Sequence, residues 1–208
     1  MTTGVREART GIMGGTFNPI HKGHLALANA ALQEFALDKV IFIPSGLPPH
    51  KEYGEIIDKE HRYMMVKLAI KGKKKYIISR IEMDRKGVCY AVDTFNKLKR
   101  KYKSQCKLFY IMGLDSINEI LDWKKPLELF KLCEFIVGTR PGTKIRTFRR
   151  LVKFPPLQKE VDKINLMELR ENISSSDIRQ KIKNGRSVKS IVPKAVEAYI
   201  LKHNIYDS

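Results

Sequence analysis

The stretch Gly11–His24, GIMGGTFNPIHKGH, sets two glycines, a threonine, an asparagine-proline pair and two histidines between an apolar run and a helical pattern. A loop of that make-up gives up side-chain packing. Glycine lets backbone approach a partner closely, so something other than protein is expected to fit against it. Upstream, Thr10–Met13 reads as a strand; downstream, Leu25, Ala28, Leu32 and Phe35 fall on one face at helical spacing. His21 and His24 are three residues apart, and one helical turn sets both imidazoles on the same side. A helix starting near Lys22 and Gly23 turns its positive end to the same place, where an imidazole can also donate to a phosphate oxygen. The stretch has neither the Gly-Lys-Ser/Thr of a Walker loop nor the GxGxxG of a dinucleotide fingerprint. A tight turn carrying two surface histidines is the plainer reading of the same residues.

Beyond this stretch, strand-like and helix-like segments alternate. KVIFIPS (39–45), YIISRIEM (76–83), CKLFYIMG (106–113), EFIVGT (134–139) and INLMEL (164–169) read as strands. DKEHRYMMVKLAIKG (58–72) has the acidic start, basic end and terminal glycine of a helix. AVDTFNKLKRKY (91–102), the short DSINEIL (115–121) and PLELF (126–130), and SSSDIRQKIKNG (174–185) are helical as well. So is PKAVEAYILKHN (193–204), with Pro193 in its first turn. The strands are apolar throughout rather than alternating, the pattern of strands covered on both faces. Helices between such strands make right-handed βαβ units and a parallel sheet. The expected fold is α/β, a Rossmann-like doubly wound parallel sheet of about five strands with helices on both faces. It forms a single domain over residues 10–208 with a helical C-terminal part. Residues 1–9, MTTGVREAR, are polar for a first central strand and read partly as a tail. Residues 140–163 read as a loop with some helix.

A chain of 208 residues supports one ordinary domain with a real core. Its 43% hydrophobic and 30% charged content excludes a disordered chain. No apolar run reaches the roughly 18 residues of a membrane span, and no signal peptide precedes the first motif. Cys89, Cys106 and Cys133 lie far apart without metal-type spacing and read as reduced thiols, so a cytoplasmic location is expected. The net charge is +18, with lysines gathered at 71–75, 97–103 and 179–186. That excess suits phosphates of nucleotides or nucleic acid, but basic helix ends produce it too, and no aromatics interleave the first two clusters.

GGTFNPIHKGH resembles the signature of the nucleotidyltransferase superfamily with the HxGH motif, relatives of class I aminoacyl-tRNA synthetases. IPSGLPPHK (43–51), MGLDSI (112–117), VGTRPG (137–142) and ISSSDIR (173–179) narrow the resemblance to bacterial nicotinate-nucleotide adenylyltransferases. They occur in that family's order from about residue 10 to the end. HxGH marks the superfamily alone; the combination with PPHK, TRPG and ISSSxIR is far more specific. The resemblance implies transfer of AMP from ATP to nicotinate mononucleotide, giving deamido-NAD and pyrophosphate in NAD biosynthesis. The mononucleotide phosphate attacks the α-phosphorus in line, with no covalent enzyme intermediate. Such a reaction asks for positioning of two anions and stabilisation of phosphoryl charge.

By the same resemblance His21, His24 and Arg179 are catalytic. Gly14, Gly15, Thr16, Phe17, His50, Asp115, Ile173, Ser174, Ser175 and Ser176 would bind ATP, and Thr94, Trp123 and Arg140 the pyridine substrate. Several of these are legible in themselves. Ser174–Ser176 can cap a helix whose free amides face a phosphate, and Arg179 one turn on can fork onto phosphate oxygens. Asp115 suits a ribose diol or a helix cap equally. Trp123 offers a flat face to a pyridine ring, or is a core residue. The chain departs from the family pattern at Asn18, where many relatives carry Asp, and at Lys124, where an aromatic is common. It departs mildly at Ser176, usually Thr. Mg²⁺ is implied with ATP, and no protein ligand for it is named. The implied partners are ATP and nicotinate mononucleotide, without nucleic acid or membrane; a homo-oligomer stays open. The rival readings are a sister adenylyltransferase acting on nicotinamide mononucleotide or pantetheine phosphate, and a basic nucleic-acid-binding protein.

Overall fold

The apolar runs pair side by side in one parallel sheet of six strands, in the order β3-β2-β1-β4-β5-β6. The strands are β1 (Ala8–Gly15), β2 (Lys39–Pro44), β3 (Tyr76–Ile78), β4 (Cys106–Gly113), β5 (Glu134–Thr139) and β6 (Ile164–Glu168). The computed structural model describes residues 6–49, 56–102, 105–139, 153–169 and 173–207. The helices are α1 (Lys22–Glu34), α2 (Lys59–Ala69), α3 (Ala91–Tyr102), α4 (Leu114–Asn118), α5 (Pro126–Leu132), α6 (Ser175–Lys183) and α7 (Lys194–Lys202). The sheet therefore has six strands rather than about five. The sixth, INLME, is a short edge strand that buries Ile164 in one core and Met167 in the other and leaves Leu166 and Glu168 exposed. β1 starts at Ala8, so Ala8 and Arg9 belong to the sheet, paired with Cys106 and Lys107. YIISRIEM pairs over three residues only, because Ile81–Asp84 leave the sheet as a turn. Pro193 is the cap of α7 rather than a residue of its first turn.

Period-two alternation along each strand builds two cores. Met13, Val40, Phe42, Phe109, Ile111 and Ile136 face α1, α2, α6 and α7. Ile12, Ile41, Leu108, Tyr110, Met112 and Val137 face α3, α4 and α5. Successive side chains of a strand point to opposite faces, so one continuous apolar run fills both. Each fully buried Phe or Ile contributes on the order of 1.5–3 kcal/mol of transfer free energy. The strand order reverses between β1 and β4, and a crevice opens there beyond their C-terminal ends.

Two loops leave the sheet at this crevice and are tied together from below. Ser45 N–H donates to the Gly15 carbonyl at 2.9 Å, extending the β1–β2 ladder into the loops. Arg62, on the apolar face of α2 and 2% exposed, donates to Thr16 O at 2.8 Å, Gly46 O at 3.1 Å and Ile57 O at 3.2 Å. Gly46 packs directly on the turn after β3: a Cβ there would fall on the carbonyl oxygen of Glu82 and within 3.1 Å of Cys89 Sγ. Gly46→Ala should lower unfolding free energy by about 1–3 kcal/mol, since backbone rather than a flexible side-chain end must give way. Denaturant titration checks this; an unchanged midpoint would show that the two loops are not packed as described.

Candidate active site

The crevice is a continuous cleft of three joined cavities. The first, about 410 Å³, runs along the N-terminus of α1 between His21, His24, Asp115, Thr139, Ile173 and Ser174. The second, also about 410 Å³, lies over the β1 exit, walled by Gly14–Asn18, His24, Asp115 and Ser175. The third, about 220 Å³, continues past Pro48 and Pro49 to Glu82, Cys89, Tyr90 and Trp123. Neighbours share walls: His24 and Asp115 separate the first from the second, Gly14–Thr16 and Tyr110 the second from the third.

At the centre the two histidines hold each other. His21 is the cap of α1, and its Nδ1 accepts from the His24 backbone N–H at 3.4 Å. His24 Nδ1 in turn accepts from the His21 backbone N–H at 3.3 Å. The rings lie 3.7 Å apart between centroids. This is a capping box in which imidazoles replace the usual Ser and Glu. Because both Nδ1 atoms accept, both neutral rings carry their proton on Nε2. Burial holds His21 at a pKa of about 4. Burial, reinforced by the neighbouring His21, holds His24 well below the ordinary histidine range. Phe17 fixes the ring of His24 from behind, edge-on at 5.1 Å, with its own backbone in the left-handed region at φ 50°.

The loop between Thr16 and His21 is anchored from the far end of the chain. Asn18, 2% exposed, accepts at Oδ1 from the Tyr206 hydroxyl at 2.8 Å and at its carbonyl from Arg179 Nη1 at 2.9 Å. Ser175 Oγ donates to the Pro19 carbonyl at 2.9 Å. Ser174 caps α6 by accepting from the Asp177 N–H at 3.0 Å, so the free amides of α6 open toward the first two cavities. Asp115 sits in the first turn of α4, whose cap is Gly113 without a side-chain bond, so its carboxylate is not spent on capping and lines the cleft.

The structure thus brings together His21, His24, Gly14, Gly15, Thr16, Phe17, Asp115, Ile173, Ser174 and Ser175 around the first two cavities. Trp123 stands on the wall of the third, tilted against Tyr110 at 6.2 Å. Arg179 and Ser176 do not line these cavities; Arg179 Nη2 donates to Ser176 Oγ at 3.2 Å while Nη1 braces Asn18. Thr94 is 2% exposed and sits behind the third cavity, its hydroxyl bonded to Glu82 Oε1 at 2.7 Å. Lys124 lies over the Tyr90 ring at 4.4 Å and pairs with Asp93. His50 and Arg140 fall outside the described residues.

Arg62, Glu82, Tyr110 and Tyr206 are absent from the sequence-based set. Arg62 had a readable signal: it occupies the first position of the buried stripe Arg62, Met65, Val66, Ala69, where a cation demands partners. Tyr206 had none, since it meets Asn18 across 188 residues. Among the described residues no group of three His, Cys, Asp or Glu side chains could hold a metal ion. No helix among them is long and apolar enough to cross a membrane.

The profile of the cytidylyltransferase-like family matches residues 12–181. A protein of Thermoanaerobacter sp. (strain X514), named a probable nicotinate-nucleotide adenylyltransferase, is 45% identical over 203 residues, covering 97% of this chain and 95% of its own. One of the same name from Moorella thermoacetica is 45% identical over 202 residues, covering 97% and 93%. The solved nicotinic acid mononucleotide adenylyltransferase of Plasmodium falciparum, complexed with NaAD, superimposes with a TM-score of 0.77 over 96% of this chain and 98% of that one. At 20% identity it shares the fold. Near-full-length identity at this level, together with the profile match, makes this chain a member of the cytidylyltransferase-like family, in its nicotinate-nucleotide adenylyltransferase branch.

Proposed function

We propose that the protein transfers AMP from ATP to nicotinate mononucleotide, releasing pyrophosphate and forming deamido-NAD. The observation that carries this reading is the reciprocal histidine cap at the helix N-terminus, opening onto a cleft of three joined cavities. ATP lies with its phosphates against the amides of α1 and α6 and the Nε2 protons of His21 and His24. Asp115 accepts from the ribose hydroxyls. Trp123 and Tyr90 flank the pyridine ring in the third cavity, and its phosphate enters the second. Nicotinate mononucleotide brings its own anionic nucleophile, so the protein supplies alignment and charge stabilisation rather than a covalent partner.

Neutral imidazoles suit this task. Each donates from Nε2 without adding a proton that must later be lost, and the cap prevents tautomer exchange. Arg179 and Ser176 act from outside the wall by holding Asn18 and the N-terminus of α6. Mg²⁺ is proposed to travel with ATP, neutralising its phosphates; the described residues offer no carboxylate cage, so no step is assigned to a protein-held metal.

A pyrophosphate-release assay with nicotinate and nicotinamide mononucleotides tests the reading: turnover should favour the nicotinate substrate, and release with neither would overturn it. A basic nucleic-acid-binding protein would instead bind duplex with steep salt dependence and release no pyrophosphate. His24→Ala should lower kcat by on the order of 10²-fold or more while the far-UV spectrum is retained, as for loss of one preorganised oxyanion donor. The cap also sets an acid limit. His21 has a folded pKa of about 4, below its unfolded value, so the folded state binds fewer protons between those values. Its contribution to stability is complete above about pH 6.5 and is lost as pH falls toward 4. The Tm difference between wild type and His21→Gln should therefore shrink across that window; a constant difference would contradict the burial of this imidazole.

A further inference from the structure

The third cavity holds a carboxyl group that the reading above leaves without a task. Glu82 is the one acidic residue on that wall and Lys124 the one basic residue, among the described residues. Lys124 is already engaged by Asp93 at 3.2 Å and by the Tyr90 ring. Glu82 lies in the turn after β3, held where the close approach of Gly46 and the Cys89 thiol fix its backbone. Its Oε1 accepts from Thr94 Oγ1, and Arg85 Nη2 donates to that same hydroxyl at 3.3 Å. The chain of donation runs Arg85 to Thr94 to Glu82, which leaves Oε2 for a ligand. Two further donors of the same neighbourhood, Arg85 Nη1 and Trp123 Nε1, are buried without a hydrogen bond among the described residues.

This balance discriminates between ligands. A pyridine carboxylate only accepts, whereas a pyridine amide both accepts and donates. An N–H donor serves either. Oε2 does not: as a carboxylate oxygen it needs a donor, which an amide has and a carboxylate lacks. Carrying a proton, it donates to a carboxylate. We propose that Glu82 decides between acid and amide pyridine substrates, holding a proton when the nicotinate carboxylate is bound and accepting from the amide when it is not. The inference rests on the reading of the cleft as a pyridine nucleotide adenylyltransferase site.

The groups facing Glu82 pull in both directions. Burial favours its neutral form and is the largest influence; the Thr94 hydroxyl, the Arg85 guanidinium and the Arg62 guanidinium of α2 favour the ionised one, with the net displacement upward. Tyr110 of β4 also feels its charge and is itself driven strongly upward by burial, so it stays a phenol. An incoming carboxylate adds a like charge and shifts the balance further toward the proton.

The test compares kcat/KM for nicotinate mononucleotide in the wild type and in Glu82→Gln from pH 6 to 9, with pyrophosphate release as readout. Gln offers an N–H to the carboxylate at every pH, and titration of the substrate phosphate cancels between the two proteins. The wild-type to variant quotient should fall as pH rises, approaching tenfold per pH unit once Glu82 ionises. Nicotinamide mononucleotide should show no such fall. Thr94→Val removes the donor that favours the ionised form, so its fall should begin at higher pH than in the wild type; this arm decides the matter if Glu82→Gln does not fold. A pH-independent quotient with active enzyme, or an unmoved onset in Thr94→Val, overturns the role of Glu82 alone. No pyrophosphate release with nicotinate mononucleotide at any pH overturns the underlying reading and this inference with it.

Discussion

A single buried guanidinium underlies the site. Arg62 reaches from α2 to the carbonyls of Thr16, Gly46 and Ile57 and lies 3.5 Å from the Ser45 hydroxyl, so it joins the loops that follow β1 and β2. Burial lowers its pKa, yet arginine stays charged in proteins, and a charge removed from water must be matched by fixed acceptors. Planar geometry lets one side chain satisfy several carbonyls at defined angles. The loop after β1 is therefore positioned by a core residue and cannot drift independently of the loop that walls the third cavity. The second and third cavities inherit their spacing from this contact.

On that platform the histidine pair converts a helix end into a donor array. Ordinary caps use a hydroxyl or carboxylate, which would present an acceptor or a negative charge to an incoming triphosphate. Imidazoles close the cap with their Nδ1 lone pairs and turn their Nε2 protons outward, so capping and ligand binding use opposite edges of the same ring. Desolvation keeps both rings uncharged at neutral pH, which makes the pair compatible with close packing at 3.7 Å. Asn18 is consistent with this economy: a neutral amide there accepts from the Tyr206 hydroxyl without adding negative charge to the wall of the cleft.

The departures from the family pattern have local physical readings. Lys124 does not leave a free cation on the wall of the third cavity, because Asp93 and the Tyr90 ring take it up. The hydroxyl of Ser176 serves Arg179, a role either Ser or Thr can fill.

Local pattern was enough for the alternation of strand and helix, the parallel sheet, and the glycine-rich loop that walls the cleft. Those features follow from local periodicity and from glycine, proline and histidine at fixed spacing in GGTFNPIHKGH. The reciprocal cap was half legible, since three-residue spacing places both rings on one side but says nothing of which nitrogen accepts. The resemblance implies Thr94 at the substrate, and only the folded chain shows that its hydroxyl bonds Glu82, which lines the third cavity. The sixth strand is short and buries only Ile164 and Met167, one in each core, so its apolar signal is thin. Tertiary structure alone decided that Tyr206 anchors Asn18, that Arg62 spans two loops, and that Glu82 meets the third cavity. Each of these joins residues separated by more than a helical turn, and their meeting depends on how the chain crosses the sheet rather than on any local pattern.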